Sequence, residues 1–509
     1  MMGMCIVSQI SKKYVGAALA AALKKCRGEF NSKEKIMVKR ILMCFLIAVV
    51  QSVSWAEVSL PHVFSDNMVL QQGMPIPVWG WADPGEHIAI ALAAHNESTK
   101  ADAGGCWTVK LPAMKAGGSY QMTVSGKNTV IVKNILIGEV WVCSGQSNMD
   151  FPLHMTHSKK SAVSGSGYPN MRLFKVPRKA SAVPESDVDA SWKICDRRAA
   201  MRFSGVGFFF GREIHEKIKV PVGLIQSSVG GTKIESWTPR EGVAAVAGLE
   251  QFLKEIDKAD SIHKKNASQP APKRCRHPLR LWNGMVHPLV PFAVRGALWY
   301  QGEANVKRPA KYALNMKALI GGWRSAWGQQ DFSFYYVQLP PYSKNDQRLC
   351  LIQEAQLESL SIPNTGMIVT TDLIESDRLW DHHPKNKKDV GKRLALWALA
   401  RDYGCKDIVF SGPLYKSMSV QGRRIRIMFD HTGSGLATRD GKSPDSFEVA
   451  GRDKKFVKAD TGIDGNCVLV WSNTVPAPAA VRFGWHQEAQ PNLINKEGLP
   501  ASPFRTHKW

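Results

Sequence analysis

Gly138–Leu153 reads GEVWVCSGQSNMDFPL, and its single turn serine, Ser147, stands between two amides, Gln146 and Asn148. Val140, Trp141 and Val142 lead into it as a strand-like run. Ser, Gly and Asn favour turns, and a turn alone explains the composition. A hydroxyl at a strand end also suits a nucleophile, which needs a base, a group to orient that base and donors aimed at the developing oxyanion. Ser147 does not lie in a Gly-x-Ser-x-Gly elbow, so the usual α/β-hydrolase turn is not indicated. His382 and His383 in DHHPK supply imidazoles, each with an ordinary pKa of about 6.5 and able to take a serine proton at neutral pH. The two histidines alone are no metal signature.

The elements around these residues change texture along the chain. Residues 58–134 read as β-rich: MPIPVWGWADPGEHIAIAL alternates around an Asp83-Pro84-Gly85 turn, and a small antiparallel sandwich fits. From about 135 to 405 short apolar runs (ILIGEVWVCS, VPVGLIQSS, VRGALWYQG, GMIVTTD) alternate with helical periodicity. The clearest helix is NKKDVGKRLALWALARDYG, with Val390, Leu394 and Trp397 on one face and Gly404 as its stop. Such alternation predicts a mostly parallel sheet with helices on both faces and a site beyond the carboxyl ends of the strands. After Ser411 β texture returns; in RRIRIMF, Ile425, Ile427 and Phe429 share one face. Lys264–Pro278 is basic and proline-rich and reads as an exposed insertion.

At 509 residues the chain has room for two or three domains. From Met37, a basic start (Lys39, Arg40), the apolar run 41–50 and a small-residue site ending at Ala56 read as a secretory signal, so export to a periplasm or beyond is expected, with no membrane anchor. Residues 1–36 read as an over-extended start. The chain carries 67 Lys+Arg and 43 Asp+Glu; after residue 56 there remain 58 and 41, a net +17. That balance suits an anionic sugar or glycan, and no nucleic-acid motif accompanies it. Seven cysteines follow Ala56 without a Cys-x-x-Cys pair, so a zinc ribbon or thioredoxin-type site is unsupported; an odd count leaves at least one free if others pair.

Several stretches in order, VFSDNMVLQ, SGQSNM, VGLIQSSVGGTKIESWTPR, NGMVHPLVPFAVRGALWYQGEAN, HHPKNKKDVGKRLALWALA, SGPLY and GLPASPFRT, resemble the sialate O-acetylesterase family, a branch of the SGNH (GDSL-like) hydrolases. The resemblance implies an α/β fold: a three-layer α/β/α hydrolase domain with a parallel sheet (135–405), an N-terminal β-domain (57–134) and a C-terminal β-rich, sandwich-like segment (406–509). It implies a metal-free, cofactor-free removal of O-acetyl groups from sugars through an acetyl-serine. By position Ser147 resembles the nucleophile and first oxyanion donor, Gly230 or Gly231 a second backbone donor, and Gln301 the superfamily's side-chain donor. His383 resembles the base. Asp381 is the chosen orienting acid and Asp377 the fallback, since the superfamily's Asp-x-x-His spacing meets Trp380 here. His382 takes a usually apolar position and is a bystander. Gln146, Asn148, Glu303 and Asn305 are expected to contact substrate; Trp141, Trp299 and Tyr300 are expected in the core. An acetylesterase for xylan or another polysaccharide, and a non-catalytic glycan-binding protein, are the alternatives.

Overall fold

The computed structural model describes residues 57–163, 167–265, 277–329, 331–344 and 347–509. The expected export signal, Cys275 and most of the basic insertion lie outside them. The chain divides into two compact units, a smaller one built from the residues up to Leu60 with Pro77–Leu111 and Gln121–Ile131, and a larger one built from Pro61–Ile76, Pro112–Tyr120 and Val132–Trp509.

In the smaller unit the strand His87–Leu92 buries Ile88, Ile90 and Leu92 and exposes His87 and Ala89. This period of two is what a strand with one wet face requires. The strand pairs antiparallel with His95–Lys100 on one side and with Met122–Ser125 on the other. Gly85, at φ +78°, closes the expected turn.

The larger unit is organised by seven strands: β1 (Thr129–Gly145), β2 (Tyr168–Lys175), β3 (Trp192–Cys195), β4 (Val222–Ser228), β5 (Gly296–Tyr300), β6 (Ser333–Val337) and β7 (Thr365–Ile368). Their order is β7-β6-β5-β1-β4-β2-β3. All neighbours run parallel except β3, which is antiparallel to β2. Strand β1 thus has β4 on one flank and β5 on the other, so the chain order reverses around it. That reversal opens a crevice beyond its carboxyl end.

Helices α1 (Gly205–Ile218), α2 (Tyr312–Trp327) and α3 (Lys387–Arg401) cover the sheet. Phe334 of β6 packs on Trp323 of α2, whereas the next residue, Tyr335, packs on Trp397 of α3. Successive strand residues face opposite ways, so α2 and α3 lie on opposite faces and the unit has three layers. Trp141, Trp299 and Tyr300 are at most 1% exposed, as core residues should be. Helix α3 begins where Asn386 caps it, its side chain accepting from the Asp389 N–H, and Gly404 follows its end at φ +67°.

The C-terminal residues form two four-stranded antiparallel sheets that share a core, and a two-stranded pair, Leu436–Thr438 with Leu493–Asn495. Arg424–Asp430 lies between Leu414–Gln421 and Cys467–Trp471, and Phe447–Ala450 lies between Val457–Lys458 and Ala480–Phe483. Ile425, Ile427, Val468 and Val470 from one sheet meet Phe447, Val449, Val481 and Phe483 from the other in one core. Cys143, Cys195, Cys350, Cys405 and Cys467 carry free thiols.

Candidate active site

Ser147 starts the one-turn helix Ser147–Asp150 directly beyond β1. Its place is fixed by Gly145, which lies opposite Ser228 of β4 and Tyr300 of β5. Gly145 has φ +135°, and a Cβ on it would fall 2.2 Å from the Tyr300 carbonyl oxygen. Only glycine lets the chain turn there. The strand therefore delivers Ser147 into the crevice where chain order reverses.

His383 reaches the same point from the loop ahead of α3. Its Nε2 lies 2.9 Å from Ser147 Oγ, and its Nδ1 lies 3.0 Å from Asp381 Oδ1. The same Asp381 oxygen accepts the His383 backbone N–H at 3.0 Å, while Arg378 donates to Oδ2 at 3.2 Å. Phe151 stacks on the imidazole at 6.2 Å. Burial alone would raise the Asp381 carboxyl, but the hydrogen bonds and charge of His383, with Arg378, outweigh it and hold the group below the usual carboxylate range. Burial lowers the His383 imidazole; Asp381 opposes this and Lys387 adds to it. The imidazole is therefore neutral at pH 7, the form that accepts a proton.

Asp377 is exposed in the turn Ser376–Arg378, and the carboxylate at His383 is that of Asp381. The His382 ring lies 4.0 Å from that of His383 and edge-on to Tyr342, so it packs beside the Ser147–His383–Asp381 line. Gly230 faces the serine: a Cβ there would sit 3.4 Å from Ser147 Cβ. Gly231, at φ +71°, completes that turn.

The amides occupy a different place from the one expected of them. Gln301 is fully buried, and its Nε2 donates to Gln146 Oε1, the Thr232 carbonyl and Asn305 Oδ1, while its Oε1 accepts from Tyr312. An amide with two hydrogens engaged this way does not point a donor at an oxyanion. Asn305 accepts from the Ile234 N–H and donates to Glu235; Gln146 also accepts from the Ala304 N–H. Asn148 donates to Glu303 Oε1 at 2.6 Å and to the His382 carbonyl at 2.9 Å. Gln146, Asn148 and Asn305, expected to contact substrate, are at most 3% exposed and brace the turn from beneath. Glu303 is partly accessible, but its Oε2 is buried with no hydrogen-bond partner.

Two features escaped the sequence. Lys387, one of three lysines in PKNKK, is wholly buried against Asn148. Nothing in that run distinguishes it from Lys385 or Lys388, because burial is decided by the fold. Asp150 pairs with Arg178 and accepts from Gln226 and Ser228, tying the Ser147 helix to β4. A cavity of about 400 Å³, lined by Ser333, Tyr335, Thr365, Asp402 and His431 among others, lies where β6 and β7 begin, away from these groups.

Residues 137–400 match the family of carbohydrate esterases described as sialic acid-specific acetylesterases. The rat (Rattus norvegicus) sialate O-acetylesterase is 31% identical over 484 residues, 83% of this chain and 88% of that protein. The human (Homo sapiens) sialate O-acetylesterase is 32% identical over 394 residues, 69% of this chain and 72% of that protein. A carbohydrate acetylesterase from Xanthomonas citri superposes with a TM-score of 0.80 at 36% identity, over 89% of this chain and all of that one. The chain belongs to the sialic acid-specific acetylesterase family of carbohydrate esterases.

Proposed function

We propose that the protein is a carbohydrate O-acetylesterase in which Ser147 is the nucleophile, His383 the general base and acid, and Asp381 the carboxylate that orients the imidazole. The observation that carries this reading is the unbroken line of contacts from Ser147 Oγ through His383 to Asp381, at 2.9 and 3.0 Å. Ser147 Oγ attacks the acetyl carbonyl carbon as its proton passes to His383 Nε2. The negative charge on the carbonyl oxygen is taken by the backbone N–H groups of Ser147 and of Gly230 or Gly231. The tetrahedral intermediate collapses, the sugar oxygen leaves with the proton from His383, and acetyl-Ser147 remains. Water, deprotonated by the same imidazole, then attacks that ester and releases acetate and the free serine.

The substrate we assign is an O-acetylated sialic acid. Support comes from the two mammalian relatives, which are sialate O-acetylesterases. It also comes from the basic chain and from two guanidinium groups, Arg178 and Arg378, paired to carboxylates on the Ser147 helix and the His383 loop. The Xanthomonas citri neighbour, a carbohydrate acetylesterase at 36% identity, leaves the sugar open, so an acetylated polysaccharide is the second reading. The division into 57–134, 135–405 and 406–509 and the export of the chain belong to the same proposal. Among the described residues no helix is long and apolar enough to cross a membrane.

Hydrolysis of a chromogenic acetate ester tests the nucleophile. Ser147→Ala is expected to lower kcat by roughly 10⁴-fold or more with thermal unfolding unchanged; retained turnover would remove Ser147 from this role.

A further inference from the structure

Lys387 opens α3 and has no exposed surface. A buried ammonium at a helix N-terminus meets both a desolvation penalty and the positive end of the helix dipole. Packing does not account for keeping it. Its hydrogen-bond partner is a neutral amide, Asn148 Oδ1 at 2.5 Å, and it lies 5.0 Å from the ring centre of Phe151 and 5.3 Å from that of Tyr300. Asn148 follows the serine directly, and its Nδ2 holds the His382 carbonyl and Glu303 Oε1. One side chain thus joins the nucleophile turn, the loop carrying His383, the turn after β5 and the start of α3.

We propose that Lys387 is a positioning residue: through Asn148 its ammonium pins the His383 loop onto the Ser147 turn and sets a buried positive charge close to the imidazole. The inference rests on His383 being the base. The ionisable groups facing Lys387 are Glu303 and Tyr300 from β5 and the turn after it, and Asp381, His382 and His383 from the preceding loop. Around His383 the charged groups are Asp381, backed by Arg378, and Lys387, with His382 alongside.

Burial pushes Lys387 down to about 7, opposed by Glu303 and Asp381. Below that pH the ammonium is charged, and a neighbouring positive charge lowers an imidazole. Removing it lets His383 titrate at higher pH, so the acid limb of kcat/KM moves to higher pH.

The test is an NMR titration of the His383 imidazole in the full chain carrying Ser147→Ala, with and without Lys387→Gln and Lys387→Met. Glutamine retains a donor for Asn148 without charge, and methionine retains neither. The expected result is a rise in the His383 pKa of roughly half a unit or more in both variants. In the enzyme with Ser147 restored, the acid limb rises by the same amount, and Lys387→Met alone loses roughly 10-fold in kcat at the pH plateau as the loop loosens. A His383 titration unmoved in both variants, each checked for native unfolding temperature, overturns the proposal. An unsubstituted protein that hydrolyses no acetate ester would instead refute the proposed function, leaving the titration to be judged separately.

Discussion

Two carboxylates near β1 stand in opposite conditions. Toward its middle Glu139, with no exposed surface, receives Arg295 at 2.8 and 3.0 Å, the amides of Gln71 and Gln72, and the Tyr403 hydroxyl. Beyond its carboxyl end Glu303 accepts Asn148 on one oxygen, and the other is buried without a partner. Burial pushes the Glu303 carboxyl up, against its own N–H, Asn148, His382 and Lys387. A saturated carboxylate fixes a fold. An undersatisfied one beside a buried lysine costs stability and persists where a reaction needs its charges arranged.

That contrast can be broken by substitution. Asp381→Asn, which leaves the shape of the site and removes the charge behind His383, is expected to lower kcat roughly 10²- to 10⁴-fold in steady-state assays; a change below tenfold would shift the orienting role elsewhere. Asn148→Ala cuts the ties among three segments at the undersatisfied end. It should lower kcat/KM about 10²-fold through misplacement of His383. Glu139→Gln removes the charge that Arg295 answers and is expected to cost about 2–4 kcal/mol in chemical denaturation, with kcat per folded molecule unchanged. If Glu139→Gln took the activity and Asn148→Ala only the stability, the two carboxylates would have to be read the other way round. The smallest effect is on pH. Because burial and Lys387 hold His383 below its ordinary value, activity should be complete at pH 7 and decline only as pH falls through the lowered imidazole pKa. A midpoint above about 6.5, the ordinary imidazole value, would contradict that sign.

Regular patterns made much of the fold legible. Four apolar runs became β1, β4, β5 and β7, and the period of Val390, Leu394 and Trp397 became α3. Strands β2, β3 and β6 were not read. YPNMRLFK in β2 carries a proline and two cations, and SFYYV in β6 is buried on both faces and shows no alternation. At the site, Ser147, His383 and Asp381 could be named as candidates because their motifs resemble the family's, since a turn serine and a loop histidine alone read equally well as structural. The amides could not be placed: Gln301 and Asn305 have the chemistry of substrate contacts, and only tertiary packing turns them inward. Lys387 was hidden for the same reason, as one cation in a polar run.

The most direct measurement is acetate release by the purified protein from 9-O-acetylated sialic acid and from acetylated xylan, side by side, with the Ser147→Ala protein as blank. Release that depends on Ser147 and favours the sialic acid is the expected result. Equal release with and without the Ser147 hydroxyl, or none from either substrate, would contradict the proposed esterase.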